Sequence, residues 1–543
     1  MAAACAVNVE PEAVYGGSIV CGWATLPSGA RLVGAVLLVL CLGVQGVWAA
    51  PTPSDGITVA LDGEIQPLDP YAHNHKINAI IDWLVHDQLF FRDPKTFRPI
   101  PNLAESLKAT DDLTWEIKLR PHVRFHNGEP VDAAAVKFTV DRLLQPEAKF
   151  PLRAAFVWVR EVEVVDELTV RLHAHRHVPS LPDVLTRLHV LPPRYFAEVG
   201  EEKYGEAPVG AGPYRFVSGK RGSPLTLRAN DEYWGGPKGR PSIRTLIFQT
   251  ILDPAERFRK LLAGEVHIAR GLTVEQASLL NHSGVARVSA KPTPRVVFLQ
   301  MDGDGRASKT PLTDRRVRRA INYALPVEEM IASVRQKFAV RIPGGLTPLY
   351  FGYDPNMPPR AFDLLKARAL LNEAGYTEAF EIPLNFSPAA VPGAERLSAS
   401  VMESLERVGI KVKIRRFADP AEFYTQFRQG KLEGMALLTW GNGASFDADA
   451  IYYPLFRSGQ PYAYNTSPEL DKLLDDGRTT IDPEKRKAIY SALQKAIVDQ
   501  AYWVPLYGQY VIEGVNRQLD YEASSDELMH LFLATWNGNR QHD

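Results

Sequence analysis

Trp440 ends an apolar run, Met435 to Leu438, in the phrase Leu438-Thr439-Trp440-Gly441-Asn442-Gly443. An aromatic plane at a strand end can stack on a ligand, and the glycines beside it allow close backbone approach. A partly buried core tryptophan would account for the same residue. His173, His175 and His177 alternate and would share one face of a strand, where three imidazoles could hold a metal. Arg171 has the same parity, however, so a solvent-facing cationic face is the simpler account and no metal site is assigned. Arg315, Arg316, Arg318 and Arg319 imitate a phosphate site, but no Gly-rich loop precedes them and a solvated, salt-bridged face explains them. Asp475 and Asp476 lie in a polar segment and read as solvated surface rather than a catalytic carboxylate pair. There is no Gly-x-Ser-x-Gly and no His-Glu-x-x-His, so the usual signatures of a hydrolase are missing.

The chain has 543 residues, enough for three or four domain-sized units. Its net charge of −1 argues against nucleic acid as the main partner. With 45% hydrophobic and 23% charged residues it has a globular composition, which excludes a disordered, collagenous or polytopic membrane protein. One apolar run, Leu32 to Val44, follows Arg31 and precedes Ala49 and Ala50. It is too short to span a bilayer comfortably and suits a secretory signal. Residues 1–30 contain Glu10 and Glu12 but no Lys or Arg, so translation is expected to start downstream of Met1. Cys5, Cys21 and Cys41 all fall in this leader, leaving the mature body without disulfides, thiolate ligands or a cysteine nucleophile. Cys41 follows a large residue, Leu40, where a lipoprotein signal wants a small one; a free periplasmic protein is expected rather than a lipid-anchored one.

Strands and helices alternate along the mature chain. Ile57 to Leu61, Trp115 to Leu119, Leu168 to Leu172, Arg295 to Met301, Ile382 to Phe386, Val412 to Phe417 and Met435 to Leu438 read as short strands. Helical spacing marks Ile77 to Phe90, Ala133 to Leu144 behind an Asp132 cap, Pro254 to Leu262, Asp314 to Ala324, Asp363 to Ala374, Ala394 to Val408 and Pro483 to Val498. Such alternation predicts α/β layers, with helices covering mixed sheets.

Several phrases recur in order: Asn102-Leu103-Ala104-Glu105-Ser106, Phe125-His126-Asn127-Gly128-Glu129-Pro130, Gly210-Ala211-Gly212-Pro213-Tyr214, Asn230-Asp231-Glu232-Tyr233-Trp234 and Arg318-Arg319-Ala320-Ile321-Asn322-Tyr323-Ala324. With Leu262-Ala263-Gly264-Glu265 and Glu373-Ala374-Gly375-Tyr376, the series resembles the family 5 extracellular solute-binding proteins of ABC importers for oligopeptides, dipeptides and nickel complexes. The resemblance implies a two-lobed type II periplasmic-binding-protein fold (cluster C) with an extra subdomain in the first lobe. The expected bounds are 1–50 for the leader, 51–95, 207–295 and 505–543 for lobe I, 96–206 for the subdomain, and 296–504 for lobe II.

The same resemblance implies a non-catalytic receptor that closes on a peptide-like solute and hands it to the transmembrane subunits of a permease. It implies a monomer, no nucleic acid and no cofactor. A nickel-chelate or other non-peptide receptor is the alternative, and a secreted hydrolase the reading of another class. The ligand residues implied are Trp440, Gly441, Asp447, Arg428, Tyr71, His73 and Tyr507. Peptide binders of this type place an Asp three residues after the tryptophan, to pair with the α-ammonium; here that position is Gly443. Either Asp447 or Asp449 takes over, or the solute is not a standard free-amino-terminus peptide.

Overall fold

The computed structural model describes residues 55–73, 75–178, 180–441 and 445–537. The leader with its cysteines, the expected cleavage near Ala49 and the substituted position Gly443 lie outside the described residues. Among those described, no helix is long and apolar enough to cross a membrane.

Two long strands organise the molecule. Ala286–Met301 and Trp503–Asn516 pair antiparallel along most of their length. At one end Ala286–Met301 also pairs Met435–Trp440, which leads to Phe380–Phe386 and Ile410–Arg416. At the other end Trp503–Asn516 pairs Ile268–Arg270, which leads through Gly56–Leu61 to Thr245–Thr250, Leu225–Ala229 and Tyr214–Ser218. Between the ends the register shifts, between Pro292 and Val296. Pro292 and Pro294 have no N–H to give a ladder, so the pairing is weakest where the two halves join.

The cores follow this division. Val296, Phe298, Leu299, Leu384, Leu437 and Leu438 belong to clusters built from residues 296–507, whereas Val59, Leu61, Leu227, Phe248 and Val515 pack in clusters on the other side. Val504, Leu506 and Tyr507 pack with Val297 and Leu299. Residues 504–507 thus pack on the side of the 296–507 clusters, where Gly508 pairs Val296, while Tyr510 pairs Pro292. A separate four-stranded antiparallel sheet, Ala104–Asp111, Thr114–Leu119, Thr169–Ala174 and Val159–Asp166, carries its own core under the helix Ala133–Leu144. Asp132 caps that helix, accepting from the Ala135 N–H at 2.8 Å.

Local expectations differ from the structure in three places. The helix expected over 77–90 stops at Val85; His86, Asp87 and Gln88 are buried in extended backbone that exchanges hydrogen bonds with residues 188–190. Leu89 continues the apolar stripe because it too is buried, not because it is helical. Arg318 is not on a solvated face. It is buried and donates to the carbonyls of Leu312, Thr313 and Gln500, whereas Arg316 pairs with Asp314 on the surface at 2.6 Å. Asp475 and Asp476 sit on a helix, Pro468–Thr479, that the polar composition of the segment conceals.

Candidate functional site

Helix Lys76–Val85 buries Ile77, Ile80, Ile81 and Leu84 in the core. A second stripe, Lys76, Ala79, Asp82 and Trp83, lines a cavity of about 170 Å³; residues three and four apart share a helix face. The facing wall holds Thr186, Arg187 and His189, which follow the short helix Leu181–Leu185. Arg295, at the junction of the halves, and Asp526 and Glu527 of the C-terminal segment close it. A second cavity of about 200 Å³ adjoins, lined by Arg176, Asp183, Arg187, Ser445, Asp447, Asp449, Arg478 and Arg486. Arg187 lines both. Here the halves meet: Phe446 stacks on Phe97 with ring centroids 5.1 Å apart, and the Arg92 guanidinium lies 4.8 Å from the Phe446 ring centre.

Most charges in this cleft are paired. Arg92 holds Asp183 at 2.6 Å. Glu527 accepts from Lys76 and, at 3.2 Å, from Arg295. Burial alone would raise the Glu527 carboxyl, but Lys76, Arg295 and Arg270 outweigh it and pull the group down to about 2. Lys76 bears the opposite cost, pushed down to about 8 by its own burial. Asp526 pairs with His530 at 2.9 Å. Two cations are exceptions: Arg176, which is exposed and donates to the His177 carbonyl, and Arg187, with no hydrogen-bonded or ion-paired side-chain partner among the described residues. Burial pushes the Arg187 guanidinium down to about 10, and Asp183 only partly offsets this.

His73 and Asp82 are also unsatisfied. Their nearest approach is 3.8 Å, too long for a hydrogen bond, and the two side chains are 7% and 4% exposed. Among the described residues, His73 Nε2 and Asp82 Oδ1 have no hydrogen-bond partner. Burial, with His75 adding to it, lowers the His73 imidazole to about 4; burial, with Asp69 adding, raises the Asp82 carboxyl well above the usual range.

The residues expected at the site divide. His73 lines the first cavity and Asp447 the second. Asp447 is committed to Arg486 in a two-pronged pair at 2.5 and 2.8 Å. Burial pushes the Asp447 carboxyl up in spite of Arg486, yet the fork geometry favours the ionised pair. Asp449 is held by Arg478 at 2.7 and 2.8 Å. Both carboxylates are therefore ion-paired in this structure.

Trp440 is half-buried, donates its indole N–H to the Ala450 carbonyl at 3.1 Å and meets Tyr462 edge-on; it lies outside the lining of both cavities. Gly441 has φ of +95°, and an added Cβ would meet the Pro294 carbonyl and the Tyr350 hydroxyl, each at 2.8 Å. Its role there is to let the backbone turn. Tyr71 and Tyr507 are fully buried, donating to the carbonyls of His189 and Pro392. Arg428 is exposed at the end of helix Pro420–Arg428. None of these three lines either cavity. His173 bonds Thr114 and Glu163, and no group of metal-ligating side chains assembles among the described residues.

Sequence reasoning overlooked Arg187, Arg295, Lys76, Asp82 and Glu527. A signal existed for one of them: Asp82 is a lone carboxylate in Ile80-Ile81-Asp82-Trp83-Leu84-Val85, and a buried acid needs a reason.

Comparison with known proteins agrees with this architecture. Residues 98–463 match the family described as bacterial extracellular solute-binding proteins, family 5 Middle. A glutathione-binding protein GsiB of Pectobacterium atrosepticum is 28% identical over 484 residues, covering 87% of this chain and 91% of that one. The substrate-binding protein CtaP of a Listeria monocytogenes ABC transporter superposes with a TM-score of 0.80 at 22% identity, covering 89% and 99% of the two chains. The periplasmic binding protein DppA of Helicobacter pylori, solved with the peptide STSA, gives 0.73 at 22% identity, covering 88% and 97%. The mixed α/β architecture is thus that of the type II periplasmic binding proteins.

Proposed function

Since the chain belongs to the family 5 extracellular solute-binding proteins, we propose that it is the exported receptor of an ABC importer and captures a peptide-like solute with a carboxylate group. The observation that carries the anionic part of this reading is the partnerless Arg187 guanidinium at the junction of the two cavities. A partly buried cation without an ion-pair partner carries a desolvation cost, and a solute carboxylate supplies both the missing charge and two acceptors in a geometry that a guanidinium matches. A relative that binds glutathione, a tripeptide with two carboxylates, supports the same class.

The mechanism is capture without chemistry. The solute enters between the lobes, the strands give at the Pro292–Val296 irregularity, and Phe446 closes on Phe97. Closure is stabilised only by contacts that the solute makes better in the closed form. The closed receptor then docks on the permease. We assign residues 1–50 to an export signal, and the mature protein to a monomer in the periplasm that breaks no bond in its cargo.

A thermal-shift screen over di- and tripeptides, glutathione and nickel–histidine tests the reading, followed by mass spectrometry of what co-purifies. Stabilisation by a carboxylate-bearing peptide that is recovered unchanged is the expected result. Stabilisation by nickel–histidine alone, or a probe chemically altered on release, would overturn it.

A further inference from the structure

The unsatisfied pair opposite Arg187 carries a second assignment. His73 and Asp82 both line the first cavity, both side chains are more than nine-tenths buried, and each leaves one polar atom without a partner. Buried polar atoms in folded proteins are nearly always satisfied, and nothing in the packing explains this pair. Removing both groups would have spared the fold the cost of desolvating them. Apart from Arg187, the other charged groups around the cavity are occupied: Lys76 and Arg295 by Glu527, Arg92 by Asp183, and Asp526 by His530. The carboxylates of the second cavity are likewise held, Asp183 by Arg92, Asp447 by Arg486 and Asp449 by Arg478.

We infer that His73 and Asp82 form the subsite for a primary ammonium group, so that the solute is a zwitterion held by its ammonium here and by a carboxylate at Arg187. The inference rests on the peptide-like reading above and deepens it. An ammonium has three N–H donors and no acceptor. Asp82 Oδ1 accepts one, and His73, with its own proton on Nδ1, offers the Nε2 lone pair to another. In the empty cleft burial favours the neutral form of the carboxyl. An ammonium beside it favours the ionised form, and a proton displaced from it leaves to solvent. A carboxylate in the first lobe thus does what Gly443, Asp447 and Asp449 cannot, and an acid placed here also turns away solutes that carry only negative charge.

Isothermal titration calorimetry on the full chain tests this with glutathione and trialanine, each against its N-acetylated form, which keeps the carboxylates and loses the ammonium. Wild type is expected to bind the free amines at least about tenfold more tightly, as one charge-assisted contact in a buried site warrants. It should also release a proton, seen as a dependence of the apparent enthalpy on buffer. Asp82→Asn should bring the two forms to within about threefold of each other and abolish the proton release, with the affinity for the acetylated form unchanged. Equal affinity of wild type for both forms would overturn the assignment while leaving the receptor reading standing. So would an equal loss of both forms in Asp82→Asn, which would mark a structural role. Failure of both forms to bind wild type would remove the peptide-like reading and this inference together. The comparison of free and acetylated forms is read on wild type, so equal affinity overturns the assignment even if the variant fails to fold.

Discussion

Arg187→Gln separates stability from binding in opposite directions. The guanidinium has no partner among the described residues, and burial lowers it from 12.5 to about 10. Each pKa unit corresponds to about 1.4 kcal/mol, so holding this charge in the empty cleft would cost up to about 3 kcal/mol. Arg187 keeps part of its surface open to cleft water, and solvent screening reduces the figure to roughly 1–2 kcal/mol. Glutamine is shorter and neutral and should return that amount to the empty protein, visible as a higher denaturant midpoint at an unchanged slope. The same substitution removes the charge that a solute carboxylate pairs with. Truncating one partner of a buried charge pair costs about 2–5 kcal/mol, so affinity for a carboxylate-bearing peptide should fall by about 30-fold or more, measured calorimetrically at fixed salt. A variant that is less stable than wild type and binds with unchanged affinity would refute the reasoning, since Arg187 would then have a structural partner and no solute contact.

Arg486→Met leaves the 14%-exposed Asp447 side chain without its guanidinium. Breaking a buried pair from one side costs about 3–5 kcal/mol, and a denaturation midpoint equal to wild type would show that the pair contributes nothing. Trp440→Ala removes a half-buried indole that packs on Tyr462; a loss of about 2–3 kcal/mol is expected, below the fully buried range, with solute affinity changing less than in Arg187→Gln. A reversed order in titrations would return Trp440 to the binding surface. The Glu527 carboxyl is lowered from 4.5 to about 2 by Lys76, Arg295 and Arg270 against its own burial. A depressed carboxylate stabilises fully above its unfolded value and loses that contribution as pH falls through its folded one. Acid titration of stability should therefore show a loss between about pH 4.5 and 2 that Glu527→Gln diminishes; an identical acid limb in the variant would exclude the network as its source.

Periodicity and turn chemistry were readable along the chain. Helix Ala133–Leu144 falls where its apolar spacing and Asp132 cap put it, and Pro254–Leu262 where its spacing does, because such signals act within a few residues. The Asn127-Gly128 turn also forms, with Gly128 at a φ of +89°. The family was legible too, since its phrases are local runs of sequence. The site was not. Asp447 reads as a free carboxylate until Arg486, 39 residues later, is found paired with it. Trp440 reads as a stacking plane until Ala450 and Tyr462 are seen to hold it. Arg187 reads as one basic residue among 62. What decides these roles is which side chain lacks a partner once the lobes are packed, a property of pairs far apart in sequence. Local chemistry therefore determined the elements and the class of protein, while the long-range pairing of charges across the cleft determined which of them are left to greet a solute.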